Sequence, residues 1–174
     1  MTDAPKIGFG ALAVPAKGNP GALVVFCDDR LKFGPATIKA LGPAAGLVAR
    51  AAKAERFTGK NGSTLALIVP EGLKADRLVV LGAGKASELK QQDVVKLGGA
   101  ALDKLPAGAG EVTLFAELPD GAMTAAQAAD LAQGVQLRGY AFDRYKTRRK
   151  DDDAPPVKRN VTIATGDAAA ARKA

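Results

Sequence analysis

Three stretches of this chain have residue types and spacing that suit chemistry. Gly82-Ala83-Gly84-Lys85 follows an apolar run and precedes a helical one. Glycines in that context let backbone N–H groups approach an anion at a helix N-terminus. The spacing points elsewhere. A Walker-type phosphate loop needs a glycine five residues before Gly84, where Val79 stands, and a dinucleotide fingerprint needs one at Ser87. A tight strand-to-helix turn is the favoured reading. Asp151-Asp152-Asp153 offers the carboxylates that magnesium or manganese prefers. Three adjacent side chains do not converge on one ion without a shaped loop, and no glycine or further acid is spaced to build it. A solvated linker is favoured.

The third stretch is basic. Arg144, Lys146, Arg148, Arg149 and Lys150 cluster beside Tyr140 and Tyr145, a pattern that neutralises nucleic-acid phosphates. The competing reading is a helix C-terminus that favours cations, neutralised by Asp151–Asp153. The net charge of +7 is uneven: residues 144–174 carry nine Lys/Arg and four Asp/Glu, whereas residues 1–143 are nearly balanced. A DNA contact would therefore use the tail, not the body.

Composition removes other chemistries. The 174-residue chain has no histidine, so it lacks the commonest general base and metal ligand. Its one cysteine, Cys27, lies inside the apolar run Ala22–Cys27 and reads as a small buried hydrophobe. No disulfide within the chain and no thiol zinc cluster can form. The N-terminus shows no signal-peptide pattern, and no apolar run approaches the ~20 residues that span a bilayer. These features suit a soluble, cytoplasmic protein with no membrane role. The length suits one domain, and a hydrophobic content of 47% with 5% aromatics implies a core of aliphatic packing and close backbone approach.

The elements that must position these residues alternate. Lys6–Val14 and Gly21–Cys27 read as strands around a turn at Pro15–Pro20. Pro35–Arg56 reads as helix broken at Gly42-Pro43. Thr64–Val69 and Arg77–Leu81 read as strands, the second buried. A helix is expected to open at Ser87, with Glu88 in its first turn, and to present Val94, Gly98, Ala101, Leu102 and Leu105 on one face before Pro106. Glu111–Phe115 is a strand. Thr124 and Gln127 form a capping-box pattern, followed by a helix reaching at least Tyr140. Ala128, Leu131, Val135, Gly139 and Phe142 share its face, and Ala128, Ala132 and Gly139 let it sit close to a sheet. Val157–Ala164 is a last strand, and Asp167 opens a helix over Ala168–Ala174. The order implies an α/β sandwich with a parallel or mixed sheet.

Gly134, Leu137, Tyr140, Phe142, Asp143, Tyr145 and Lys146 resemble the end of the N-terminal domain of the cytosolic leucyl aminopeptidases. Phe57-Thr-Gly59-Lys60-Asn-Gly62 and Arg77–Lys85 are similar to that family's segments at the corresponding points. The three matches fall in order. The resemblance implies a three-layer sandwich, a mixed sheet between helices, similar to macro domains. It divides the chain into a non-catalytic domain over residues 1–164 and the start of an interdomain connector helix over 165–174. It implies a parent that removes N-terminal residues, leucine preferentially, with two divalent metals, zinc or manganese, in a missing C-terminal catalytic domain, and a homohexamer with N-terminal domains at its outer corners. The family's catalytic motif occurs nowhere in this sequence, so no catalytic, metal-binding or cofactor-binding role carries over to any residue here. Some bacterial members bind DNA, which keeps the basic cluster in play. Macro domains bind ADP-ribose, which makes a nucleotide-binding module a further alternative.

Overall fold

The computed structural model of the chain describes residues 4–14, 21–105, 108–139 and 158–174. In chain order the elements are β1 (Lys6–Ala11), β2 (Ala22–Cys27), α1 (Pro35–Leu41), α2 (Ala44–Ala54), β3 (Thr64–Ile68), β4 (Arg77–Gly82), α3 (Gln91–Asp103), β5 (Glu111–Phe115), β6 (Glu117–Leu118), β7 (Gly121–Ala122), α4 (Ala125–Gly139), β8 (Asn160–Thr165) and α5 (Ala168–Ala171).

Six apolar residues in a row, as in β2, suit a strand covered on both faces. Every residue of β2 is at 0% exposure. The main sheet has the order β1-β8-β5-β2-β4-β3, which seats β2 inside it. All neighbours run parallel except β3, which is antiparallel to β4. Alternate residues feed two cores. Leu23, Val25 and Cys27 join Leu78, Val80 and Phe115 beneath Leu41, Val48 and Ala52 of α1 and α2. Ala22, Val24 and Phe26 join Val79, Leu114 and Ile163 beneath Leu97 and Ala101 of α3 and Leu131 and Val135 of α4. The result is the expected three-layer α/β sandwich with a mixed sheet. Each fully buried Val, Leu, Ile or Phe among these contributes about 1.5–3 kcal/mol.

Local signals set several boundaries as the sequence implies. Gly42 takes φ +46° and its amide donates to the Ile38 carbonyl at 3.0 Å, ending α1 before Pro43 starts α2. At α4, the Thr124 amide donates to Gln127 Oε1 (3.0 Å) and the Gln127 amide donates to Thr124 Oγ1 (3.2 Å), a reciprocal cap. Val94, Gly98, Ala101, Leu102 and Leu105 are all buried.

Other boundaries moved. Ser87 does not open α3. Ala86–Glu88 is a single 3-10 turn, the chain is extended at Leu89, and α3 begins at Gln91. Leu89 is half-buried against the core, and Asp93 receives the Lys90 amide at 3.1 Å, which starts the helix four residues, about one turn, later than Ser87. Val69 is not in β3; it takes φ +45°. The last strand begins at Asn160 and reaches Thr165. The Pro15–Pro20 turn, Pro106, Tyr140 and Phe142 lie outside the described residues.

The small residues of α4 act differently from expectation. Ala128 does face the sheet-side core, but the closest approach is to α3. A Cβ on Gly134 would overlap the Val95 carbonyl oxygen, and one on Gly98 would overlap the Leu131 carbonyl oxygen. A Cβ on Gly139 would strike the Pro5 ring. The two helices thus touch backbone to backbone. α5 is docked: Asp167 Oδ1 accepts from the Ala170 amide (2.8 Å), Ala171 is 2% exposed, and Arg172 Nη2 donates to the Phe9 carbonyl (2.8 Å).

Candidate functional site

In open α/β sheets ligands collect outside the carboxyl ends of the parallel strands. Here β2 ends at Cys27 and β4 at Gly82, and two adjoining clefts open beyond them, of about 350 and 270 Å³. Asp28, Asp29, Arg30, Lys32, Lys85, Ser87 and Asp120 line the first, and Lys60, Asn61, Gly84 and Glu88 line the second with Asp29 and Lys85.

The Gly82–Lys85 stretch is built as a turn whose polar groups face the protein. The amides of Gly82, Ala83 and Gly84 donate to the carbonyls of Ser63 (2.8 Å), Cys27 (2.8 Å) and Gly59 (3.0 Å). An anion cradle presents such amides outward; these are already committed. The Gly62 amide returns a bond to the Gly82 carbonyl at 2.9 Å. A Cβ on Gly82 would overlap the Lys60 carbonyl oxygen, and one on Gly59 would overlap the Asp28 carbonyl oxygen. The glycines of the segments 57–62 and 77–85 therefore interlock two loops, which is a structural use.

Charges around the clefts pair locally. Lys85 Nζ donates to Glu88 Oε1 at 3.0 Å, and this hydrogen bond, with the Glu88 charge second, holds the ammonium above its ordinary pKa. Asp28 Oδ1 accepts from the amides of Arg30 (2.9 Å) and Lys32 (2.8 Å), folding the loop after β2 onto itself. Burial, with the Asp28 charge second, pushes the Cys27 thiol up to about 12. A protonated, covered thiol is a poor nucleophile.

Sequence reasoning missed Glu117. It is 1% exposed, and Oε1 accepts from the Ala36 amide (3.0 Å) while Oε2 accepts from the Thr37 amide (2.6 Å) and hydroxyl (2.7 Å). A buried carboxylate from β6, distant in sequence, caps α1. The only local signal was the absence of any acid or capping side chain at Gly34-Pro35.

Among the described residues, no group of three or more carboxylates and thiols could hold a metal ion. The described residues thus do not fit the two divalent ions that the resemblance implies. No described helix is long and apolar enough to cross a membrane. Arg144, Lys146, Arg148, Arg149, Lys150 and Asp151–Asp153 lie outside the described residues.

The family model "Cytosol aminopeptidase family, N-terminal domain" matches residues 24–149. The chain is 54% identical over 174 residues to a probable cytosol aminopeptidase of Rhodopseudomonas palustris strain BisB18, and 55% identical over 175 residues to one of Nitrobacter hamburgensis. In both cases all of this chain is covered but 34% of the relative, so the chain spans about a third of the length of these curated relatives. A mutant of tomato leucine aminopeptidase superposes with a TM-score of 0.73 at 24% identity, over 99% of this chain and 35% of that one. A macrodomain mutant from Oceanobacillus iheyensis superposes with a TM-score of 0.63 at 12% identity, over 96% and 88%. These two likenesses concern the fold, and they agree with the sandwich described above. With a family match over most of its length and relatives more than half identical throughout, this chain belongs to the cytosol aminopeptidase family and carries its N-terminal domain.

Proposed function

We propose that this chain is the non-catalytic N-terminal domain of a cytoplasmic leucyl aminopeptidase whose longer form removes N-terminal amino acids from peptides. The observation that carries this reading is the family match, with relatives about three times as long as the chain. In the same proposal, two divalent ions, zinc or manganese, supply water activation and charge stabilisation in a C-terminal catalytic domain. Residues 165–174 begin the connector to that domain, and the parent is a homohexamer.

Support also comes from what the clefts are built to do. The glycine amides are spent on the neighbouring loop, and Glu117 holds the α1 amides. Both arrangements disfavour the ADP-ribose alternative, because the amides of Gly82, Ala83 and Gly84 at the end of β4, and those of Ala36 and Thr37, already have acceptors. The charge asymmetry of residues 144–174 favours DNA contact as a second role, through Arg144, Lys146, Arg148, Arg149 and Lys150.

The purified chain is expected not to hydrolyse leucine p-nitroanilide with manganese or zinc present. Metal-dependent turnover abolished by a chelator overturns the reading. Calorimetric titration with ADP-ribose is expected to show no heat of binding. A salt-sensitive gel shift with duplex DNA, lost on reversing the five tail charges, identifies the second role.

A further inference from the structure

The chain has three asparagines, Asn19, Asn61 and Asn160, and each is followed by a different residue. An asparagine side chain is open to attack by the backbone nitrogen of the residue after it. That nitrogen closes a succinimide ring on Cγ, and the side-chain nitrogen leaves as ammonia. Pro20 after Asn19 has no amide proton to lose, and the β-branched Val161 after Asn160 crowds its own nitrogen. Gly62 after Asn61 has no Cβ to obstruct the approach. By chemistry alone, Asn61-Gly62 is the most reactive of the three pairs.

The fold holds this pair in a geometry that does not react. The Ser63 amide donates to the Lys60 carbonyl at 2.9 Å, Gly62 takes φ +79° and Asn61 does not take a positive φ, which together define a type II turn. Such a turn sets ψ of its second residue at about +120°, so the Gly62 nitrogen points away from the Asn61 Cβ. Ring closure needs that nitrogen turned back onto the Cβ side. The Gly62 amide also donates to the Gly82 carbonyl at 2.9 Å, so the proton that must be lost is held. The Ser63 hydroxyl adds a second bond to the Lys60 carbonyl at 2.6 Å, and the Gly82 amide donates to the Ser63 carbonyl at 2.8 Å. Asn61 lies so close over Gly84 that a Cβ there would stand 3.3 Å from its backbone nitrogen. The Asn61–Gly62 peptide cannot turn without breaking these contacts.

We infer that Asn61-Gly62 is a latent modification site, held unreactive by the interlock of the 57–62 and 77–85 loops and converted to aspartate and isoaspartate when that interlock opens. Opening frees the Gly62 amide and lets the peptide turn. The Gly62 nitrogen bonds to Asn61 Cγ, its proton goes to solvent, and the side-chain nitrogen leaves as ammonia. Water then adds to either carbonyl of the succinimide and opens it to aspartate or isoaspartate. The net reaction consumes a water and releases an ammonia, with no other reactant. It does not reverse. Isoaspartate inserts its β-carbon into the main chain, which lengthens the turn between Lys60 and Ser63 and spoils the register of the interlock. Either product sets a carboxylate on the second cleft, where Asn61 stands with Lys60 and Lys85. The modification thus records loop opening and changes the charge of that cleft.

The test incubates the folded 174-residue chain beside the free peptide Phe57–Ala66 at mildly alkaline pH. Mass spectrometry of the digested samples follows the conversion of amide to acid at each asparagine, and chromatography separates isoaspartyl from aspartyl product. A group that reacts only in an opened state is modified in proportion to the population of that state. Asn61 in the folded chain is expected to convert at least roughly tenfold more slowly than in the peptide, with isoaspartate among the products of both. Gly82→Ala, whose Cβ would overlap the Lys60 carbonyl oxygen, and Ser63→Ala, which loses the hydroxyl bond, should each speed the conversion roughly threefold or more. If Gly82→Ala does not fold, Ser63→Ala alone decides. A folded chain that converts as fast as the peptide overturns the proposal. So does unchanged protection in every variant that folds, and so does a product that is aspartate only.

Discussion

Glu117 and Thr37 are separated by 80 residues, yet one oxygen of the Glu117 carboxylate takes both the amide and the hydroxyl of Thr37. This joins the β6–β7 hairpin to the first turn of α1 beneath the carboxyl ends of the strands. α1 has no capping side chain of its own, so the distant carboxylate replaces one.

Replacing Glu117 by Ala should therefore cost about 2–4 kcal/mol, because it leaves the buried amide and hydroxyl of Thr37 and the half-buried amide of Ala36 unpaired. Glu117→Gln keeps one acceptor and should cost less. Urea denaturation of the two variants checks the order. Equal losses would show that the carboxylate does not act through these bonds.

Gly134 and Gly46 give opposite answers to one substitution. Both are helical glycines, and propensity alone favours alanine at each by about 1 kcal/mol. Gly46 has open space, so Gly46→Ala should stabilise by about 0.5–1 kcal/mol. At Gly134 the new Cβ meets the Val95 carbonyl, which is backbone and cannot move aside. Gly134→Ala should destabilise by about 2–4 kcal/mol despite its better propensity. Thermal denaturation of both variants is the measurement, and a stabilised Gly134→Ala would show that α3 and α4 separate easily.

Cys27 makes a pH prediction. Its folded pKa is raised from 9.0 to about 12, so the folded state holds the proton more tightly than the unfolded one. Its contribution is intact below pH 9 and falls progressively from pH 9 toward 12. The stability of the chain should decline faster over that window than that of Cys27→Ala. At pH 8 a thiol reagent such as DTNB should label Cys27 only after denaturant is added.

The docking of α5 predicts amide protection. Ala171 and Arg172 donate to the carbonyls of Asp167 (3.1 Å) and Ala168 (3.3 Å), and Ala171 is buried. A four-residue helix has no stability of its own, so any protection there reports packing against α4 and β1. Hydrogen exchange should find Ala171 and Arg172 slower than Lys173, and slower still than an Asp167→Ala variant, which loses the cap. Exchange as fast as in a free peptide would instead fit a connector that is held only when the downstream domain is present.

The sequence alone determined what is written in short-range patterns. Ala22–Cys27 had to be a strand covered on both sides, Gly42-Pro43 had to divide two helices, and Thr124 with Gln127 had to begin α4. Hydrophobic periodicity, missing backbone donors and a cap three residues long act within a few residues, so each needs no partner to be recognised. The segments near 57–62, 77–85 and 134–146 also carried the family. Only the tertiary structure decided the rest. Gly82 and Gly84 read by their spacing as a tight turn rather than an anion loop, and it took the fold to show which acceptors, Ser63, Cys27 and Gly59, hold the amides around them. Gly139 read as a small residue that lets α4 sit close to a sheet, and only the fold sets the Pro5 ring against it. α3 began at Gln91 because Leu89 packs into the core, and α1 is capped by a glutamate 80 residues away. In each case the deciding partner is distant in sequence, and its position exists only once the sheet has ordered the strands.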